Sequence, residues 1–226
     1  MIDLHFWPTP NGKKISIFLE EAKLPYNLIP VNIGRGEQFR PEFLAISPNN
    51  RMPAIVDHEP AGGGEPISVF ESGAILLYLA DKTGQFIPKD LRGRTQVVEW
   101  LMWQMGGLGP MLGQAHHFRG YAPERIPYAI ERYTNEAHRL YGVLNTRLKD
   151  HEFLAGPYSI ADMASWPWLN PDGQGQSWGE FPHLKRWYDV IKARPGVEKG
   201  AAAGADLRSG PIDDKAKAVL FNQRAR

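Results

Sequence analysis

The sequence predicts an α/β unit followed by an all-helical one, and three observations carry that expectation. Apolar residues alternate at strand spacing in the first third of the chain, a helical stripe separates the first two such stretches, and beyond Pro88 the alternation ends while helical stripes continue. Ile2, Leu4 and Phe6 alternate with Asp3 and His5, which is the period of a strand with one buried face. Pro8-Thr9-Pro10 stops it. Ile15, Phe18, Leu19 and Ala22 then fall on one helix face, with Asn11 the expected N-cap and Pro25 the stop.

Tyr26 to Ile33, Pro53 to Asp57 and Ile67 to Phe70 read as three more strands, the last two joined by the hairpin loop Glu59 to Pro66 with its run of glycines. A short helix is expected around Arg40 to Ile46. From Ser72 the stripe Ile75, Leu76, Leu79 and Ala80 runs to Gly84. The order is therefore βαβ, then ββα: a small mixed sheet with helices packed on it, the thioredoxin arrangement.

In the second part, Val98, Leu101, Met102 and Met105 are spaced for one helix face, and Ile130, Tyr133, Ala137, Leu140, Leu144 and Leu148 for another. Ser159-Ile160-Ala161-Asp162 has the form of a capping box. Leu184, Trp187, Tyr188 and Ile191 mark a further helix that Pro195 stops, and beyond Gly196 small residues and then charges imply a loose or docked tail.

Composition narrows the chemistry. With 26 Lys plus Arg against 25 Asp plus Glu, the formal charge of +1 supplies no field to attract nucleic acid or an anionic membrane. No window approaches the roughly 18 apolar residues of a membrane span, and the amino terminus lacks the pattern of a signal peptide, so a cytoplasmic location is expected. There is no cysteine, so any thiol chemistry must use a thiol that the protein borrows. His116 and His117 are adjacent rather than four apart, and no HExxH occurs, so no metal is expected.

Two segments point to a ligand. Glu71-Ser72, entering a helix, offers a carboxylate for an ammonium group, while the hydroxyl and the first-turn N–H groups suit a carboxylate. Met52-Pro53 before a strand suggests a cis-proline corner that turns the Met52 backbone outward to pair with an extended peptide. Together they describe a receptor for a small peptide with a free amino-acid end.

At these positions the chain resembles the glutathione transferases. Thr9-Pro10-Asn11-Gly12-Lys13-Lys14, Gln38 to Phe43, Ser47 to Asp57, and Phe70 to Ile75 are similar to the bacterial Nu class, which includes glutathione-dependent disulfide-bond oxidoreductases. Gly106 to Met111 through His116-His117-Phe118, and Ile126 to Tyr133, carry the same resemblance into the second half. It implies a thioredoxin-like glutathione-binding domain over residues 1–87, an all-helical transferase domain over 92–207, a tail over 208–226 and a homodimer.

The resemblance also implies roles. Glu71 and Ser72 would hold the γ-glutamyl head, the Met52 backbone beside Pro53 the cysteinyl amide, Gln38 the glycyl end, and Arg132 a glutathione carboxylate from the helical domain. Thr9 and Asn11 occupy the place where many relatives carry Tyr, Ser or Cys, and are assigned to the thiol. A free thiol ionises near pKa ~8.5, so neutral donors there suit thiol–disulfide exchange. The expected activity is reduction of a small disulfide by bound glutathione. The alternatives are conjugation to an electrophile, peroxidase chemistry, or a non-catalytic glutathione-binding regulatory module. Trp100 and Trp103 are read as core rather than as the border of a second-substrate cleft, and Asn170 to Trp178 as a variable loop over that cleft.

Overall fold

The computed structural model describes residues 1–207, 212–221 and 223. They divide into two compact units, one formed by residues 1–83 with 195–226 and one by residues 84–194. The expected tail at 208–226 lies partly outside the described residues, at 208–211, 222 and 224–226.

The first unit is built on β1 (Ile2–Phe6), α1 (Pro10–Glu21), β2 (Tyr26–Pro30), α2 (Pro41–Leu44), β3 (Ala54–Asp57), β4 (Ile67–Phe70) and α3 (Ser72–Thr83). The sheet order is β2-β1-β3-β4, with β1 and β2 parallel and the other pairs antiparallel. This is the thioredoxin-like arrangement expected. Leu4, Phe6 and Ile55 are fully buried on it, as are Ile15, Phe18 and Leu19 of α1. The cap of α1 is Thr9, two residues earlier than expected: its Oγ1 accepts from Gly12 N at 3.3 Å, which leaves Asn11 inside the first turn. Pro10 explains the shift, since its missing N–H and fixed φ suit the first helical position.

The second strand ends at Pro30, short of Ile33, because Asn32 caps a 3₁₀ turn at Ile33–Arg35 by accepting from Gly34 N and Arg35 N. Pro195, expected as a stop, also starts α10 (Pro195–Ala202), which packs against α1. Gly200 permits that approach, since a Cβ there would lie 2.5 Å from Ile17 Cα. Among the described residues of the tail is a further helix, α11 (Asp214–Phe221), packed against the 33–35 turn.

The second unit contains α4 (Leu91–Trp103), α5 (Gly109–His116), α6 (Pro127–Arg147), α7 (Ile160–Ser165), α8 (Pro171–Gln174) and α9 (Pro182–Lys192). Helical turns of π type join α4 to α5 at Gln104–Leu108 and extend α5 at His117–Tyr121. Pro110 cannot donate to the Gly106 carbonyl, and the wider π turn absorbs that missing bond. The buried face of this run is Val97, Leu101, Gln104 and Leu108, so Met102, expected inside, is half exposed at 49%. Spacing of four, three and four continues through the π turn, whereas the Val98–Met102 line drifts to solvent.

Asp162 organises the unit. It is fully buried and accepts from Leu154 N at 3.0 Å, Trp187 Nε1 at 2.8 Å, Ser159 N at 3.0 Å and Ser159 Oγ at 3.1 Å, completing the expected capping box. Burial nonetheless raises its carboxyl to about 6, against those four bonds. The segment expected as a variable loop is instead folded into the unit. Gln174 accepts from Tyr141 Oη at 2.6 Å and donates to Trp168 O at 2.8 Å, and Gln176 donates to Thr134 O at 3.0 Å. Its glycines are there for contact: a Cβ on Gly173 would meet His116 Nδ1 at 2.7 Å, and one on Gly175 the Arg119 guanidinium at 2.6 Å.

Candidate functional site

Three chain turns of the first unit converge: the entry of α1, the corner before β3 and the entry of α3. The pairing of Ala54 with Phe70 sets their register, so the residues just before β3 lie beside those just after β4. Asp57 fixes α3 against the sheet. Its buried carboxylate accepts from Tyr78 Oη at 2.7 Å and Lys82 Nζ at 2.5 Å. Burial raises that carboxyl, but the bonds from Lys82 and Tyr78 outweigh it and hold the group below its ordinary range.

The Met52-Pro53 peptide is cis. Met52 belongs to a buried apolar cluster with Val31, Phe43 and Ala54, against which Trp7, Ile33 and Ile46 pack. Its side chain is thereby anchored at the corner. Thr9 reaches the same corner from α1, its Oγ1 donating to Met52 Sδ at 3.7 Å while accepting from Gly12 N. A thioether is a weak acceptor, so the Thr9 hydroxyl is oriented by this bond yet can readily redirect its hydrogen bond to a stronger acceptor such as a thiolate. Asn11, half-buried in the first turn, shares the positive end of α1.

At the entry of α3, Glu71 is exposed and adopts φ +69°, a left-handed conformation that is unusual without glycine. Its carbonyl accepts from Ile75 N at 2.9 Å, opening the helix, while Asn49 Nδ2 donates to its Oε1 at 3.3 Å. Ser72 is buried, 4% exposed. Its Oγ accepts from Lys14 Nζ at 3.3 Å, and Lys14 is itself only 1% exposed. Burial pulls the Lys14 ammonium down to about 7, against the favourable field of Glu71.

Gln38 is buried rather than exposed on a loop. Its Nε2 donates to Ile33 O at 3.2 Å and its buried Oε1 has no hydrogen-bond partner. It thus touches the turn that packs on the Met52 cluster. Arg132 belongs to the second unit, where it lines an open cleft of about 630 Å³ with Tyr128, Glu136 and Arg139. Glu136 is held below its ordinary range by hydrogen bonds from Arg139, with a smaller contribution from Arg132.

Thr9, Met52, Pro53, Glu71 and Ser72 are therefore gathered within the first unit, with Gln38 at its apolar flank. Two partners had no role assigned in the sequence. Lys14 carried a signal, since it precedes Ile17 and Phe18 by one turn on a buried face; Asn49 carried none, because its contact with Glu71 depends on the loop path. No cluster of three or more metal-ligating side chains occurs among the described residues.

Residues 1–81 match the model of the glutathione S-transferase N-terminal domain. The chain is 61% identical to the disulfide-bond oxidoreductase YfcG of Escherichia coli K12 over 197 residues, covering 86% of this chain and 92% of that protein. This chain belongs to the glutathione transferase family. The same bacterium's YghU, also a disulfide-bond oxidoreductase, is 40% identical across 95% of this chain and 78% of its own length. Among solved structures, the glutathione transferase of Burkholderia graminis, with two glutathione molecules bound per subunit, superposes with a TM-score of 0.85 at 42% identity, covering 89% of this chain and 88% of that one. The Pseudomonas putida enzyme, solved with one glutathione disulfide per subunit, gives 0.85 at 41% identity, covering 89% and 91%.

Proposed function

We propose that this protein is a glutathione-dependent disulfide-bond oxidoreductase whose only thiol reagent is bound glutathione. The observation that carries the reading is the pairing of a thiol-directed donor, Thr9, with an amino-acid receptor, Glu71-Ser72, in a chain that has no cysteine. Its 61% identity with one disulfide-bond oxidoreductase supports the same reading.

In this scheme Glu71 takes the ammonium and Ser72 the carboxylate of the γ-glutamyl head, the Met52 backbone pairs with the cysteinyl amide, Pro53 sets the corner, and Gln38 serves the glycyl end. Thr9 and Asn11 donate to the sulfur and stabilise its thiolate. The thiolate attacks a small disulfide, forming a mixed disulfide and expelling one thiolate, which takes up a proton. A second glutathione thiolate then attacks the glutathione sulfur of the mixed disulfide. Glutathione disulfide forms and the second thiol leaves, so two glutathiones are oxidised for one disulfide reduced. No protein sulfur takes part. Arg132 contacts a glutathione carboxylate from the helical domain.

We place the boundary of the family's two domains at residues 87–92, and propose a cytoplasmic homodimer in which the thioredoxin-like domain of one subunit meets the helical domain of the other. No helix among the described residues is long and apolar enough to cross a membrane. A single 25.4 kDa species at all concentrations in sedimentation would overturn the dimer.

The activity is tested by turnover of 2-hydroxyethyl disulfide with glutathione, alongside chlorodinitrobenzene and a peroxide. Thr9→Ala with Asn11→Ala is expected to lose most of the disulfide rate. Unchanged turnover in that double variant removes the thiol assignment, a dominant chlorodinitrobenzene rate moves the protein to the conjugating transferases, and binding without any turnover makes it a regulatory module.

A further inference from the structure

The carboxy-terminal helix α11 is too short to stand alone. Isolated helices under about 12 residues are marginal in water, and α11 has 8, so its order depends on what it packs against. Asp213 caps it, Oδ1 accepting from Ala216 N at 2.8 Å. Ile212, Ala216, Val219 and Leu220 recur at helical spacing as its half-buried face, while Asp214, Lys215 and Ala218 are exposed. That face meets the 3₁₀ turn at Ile33–Arg35. Gly34 and Gly36 make the seat: a Cβ on Gly34 would lie 3.1 Å from the Ala216 Cβ, and one on Gly36, at φ +80°, 3.8 Å from Val219 Cγ1. The same turn holds Gln38. Glu37 Oε2 closes it by accepting from Asn32 N at 2.7 Å, and Ile33 O accepts from Gln38 Nε2 at 3.2 Å while the Ile33 side chain packs on the Met52 cluster. Gln38 Oε1 is buried with no hydrogen-bond partner among the described residues, an acceptor that a ligand N–H would satisfy.

We propose that Ala216 and Val219 of α11 are positioning residues for Gln38 at the glycyl end of glutathione, acting through the 33–35 turn on which they are seated. The inference rests on the glutathione reading above. Glycine loses more conformational freedom on ordering than any other residue, and this turn contains one at Gly34 and ends on another at Gly36. Seating α11 on both fixes the turn, and with it the Ile33 carbonyl that orients the Gln38 amide. Helix docking and ligand binding therefore draw on one ordered turn, and each lowers the entropy the other must overcome.

The test uses the full chain. Wild type, Ala216→Lys with Val219→Glu, Gln38→Ala and the triple variant are titrated calorimetrically with glutathione and with γ-glutamylcysteine, which lacks the glycyl residue. Hydrogen exchange follows α11 in parallel. Lysine and glutamate are good helix formers, so the paired substitution removes the seat rather than the helix propensity. It is expected to speed exchange in α11, to weaken glutathione about three- to tenfold, to change γ-glutamylcysteine less than about twofold, and to add nothing further in the Gln38→Ala background. In wild type, saturating glutathione should slow exchange in α11 and γ-glutamylcysteine should not. Val219→Ala with Leu220→Ala, which only trims the face, carries the comparison if the charged pair does not fold. Equal weakening of both ligands, tighter glutathione binding on release of α11, unchanged binding despite that release, or full loss in the Gln38→Ala background overturns the proposal, as does unchanged exchange in α11. Wild-type protein that binds glutathione and γ-glutamylcysteine equally well removes the glycyl contact and the proposal with it, whereas binding of neither overturns the glutathione reading itself.

Discussion

Thr9 joins two jobs through one oxygen: its Oγ1 accepts from Gly12 N at 3.3 Å and donates to Met52 Sδ at 3.7 Å. The first bond caps α1 and the second aims a hydrogen at the cis-proline corner. Thr9→Asp separates them. A carboxylate is as good an N-cap as threonine and favours the helix dipole, yet it has no proton to donate and would repel a thiolate. The melting temperature should stay within a few degrees of wild type while disulfide reduction falls at least about tenfold, with the pH–rate profile displaced upward. A variant that keeps its rate would reduce Thr9 to a cap.

Glu71 holds a left-handed backbone, φ +69°, and an exposed carboxylate steadied by Asn49. A non-glycine residue in that region costs about 1–2 kcal/mol, which is reasonable where the side chain has a function. Glu71→Gln preserves the backbone and shape but removes the charge. Calorimetry should find glutathione binding weakened about 10- to 100-fold, the range of a charge-assisted hydrogen bond, with little change in stability. Asn49→Ala should cost less, since it removes only the support.

These two sites also mark what the sequence could reveal. Strand order, the cis corner and the Glu71-Ser72 helix entry were legible because each depends on residues close in the chain: alternation, a proline, a pair before a stripe. The cap of α1 was misplaced by two residues because Asn11 and Thr9 are both good caps, and Pro10 decides between them. Gln38 was assigned to the glycyl end of the ligand, but its burial, with Nε2 donating to Ile33 O of the 3₁₀ turn at Ile33–Arg35, was not legible in the sequence. The Lys14–Ser72 and Asn49–Glu71 contacts span 58 and 22 residues, and only the assembled sheet brings them together.

Lys14 also predicts a pH dependence of stability. Its ammonium ionises near 7 in the fold against an ordinary 10.5. Below 7 it is protonated in both folded and unfolded states, and the cost of burying the charge is fully present. Between 7 and 10.5 the unfolded chain holds the extra proton, so this cost is relieved as pH rises. Lys14→Met should therefore melt well above wild type at pH 6.5, and the difference should shrink progressively by pH 9.5. A difference independent of pH in scanning calorimetry would mean that the charge is not what the substitution removes.

Gly200 tests the place of the carboxy-terminal segment. A Cβ there would lie 2.5 Å from Ile17 Cα and 2.6 Å from Ile17 N, and these are backbone atoms of α1 that cannot turn aside as a side chain would. Ser16 Oγ donates to Gly200 O at 2.7 Å, so the two helices are also bonded at their closest point. Gly200→Ala must push α10 outward and lengthen that bond. Overpacking of this kind costs about 1–3 kcal/mol, less the few tenths to 1 kcal/mol that alanine returns through helix propensity. Urea unfolding should find the net loss, and hydrogen exchange should locate it in α1 and α10. Since α1 carries Thr9, Asn11 and Lys14, glutathione affinity should fall along with stability. In the helical unit, by contrast, Asp162→Ala should lower stability by more than about 3 kcal/mol, because it leaves the buried Trp187 indole and the Leu154 and Ser159 N–H groups without an acceptor.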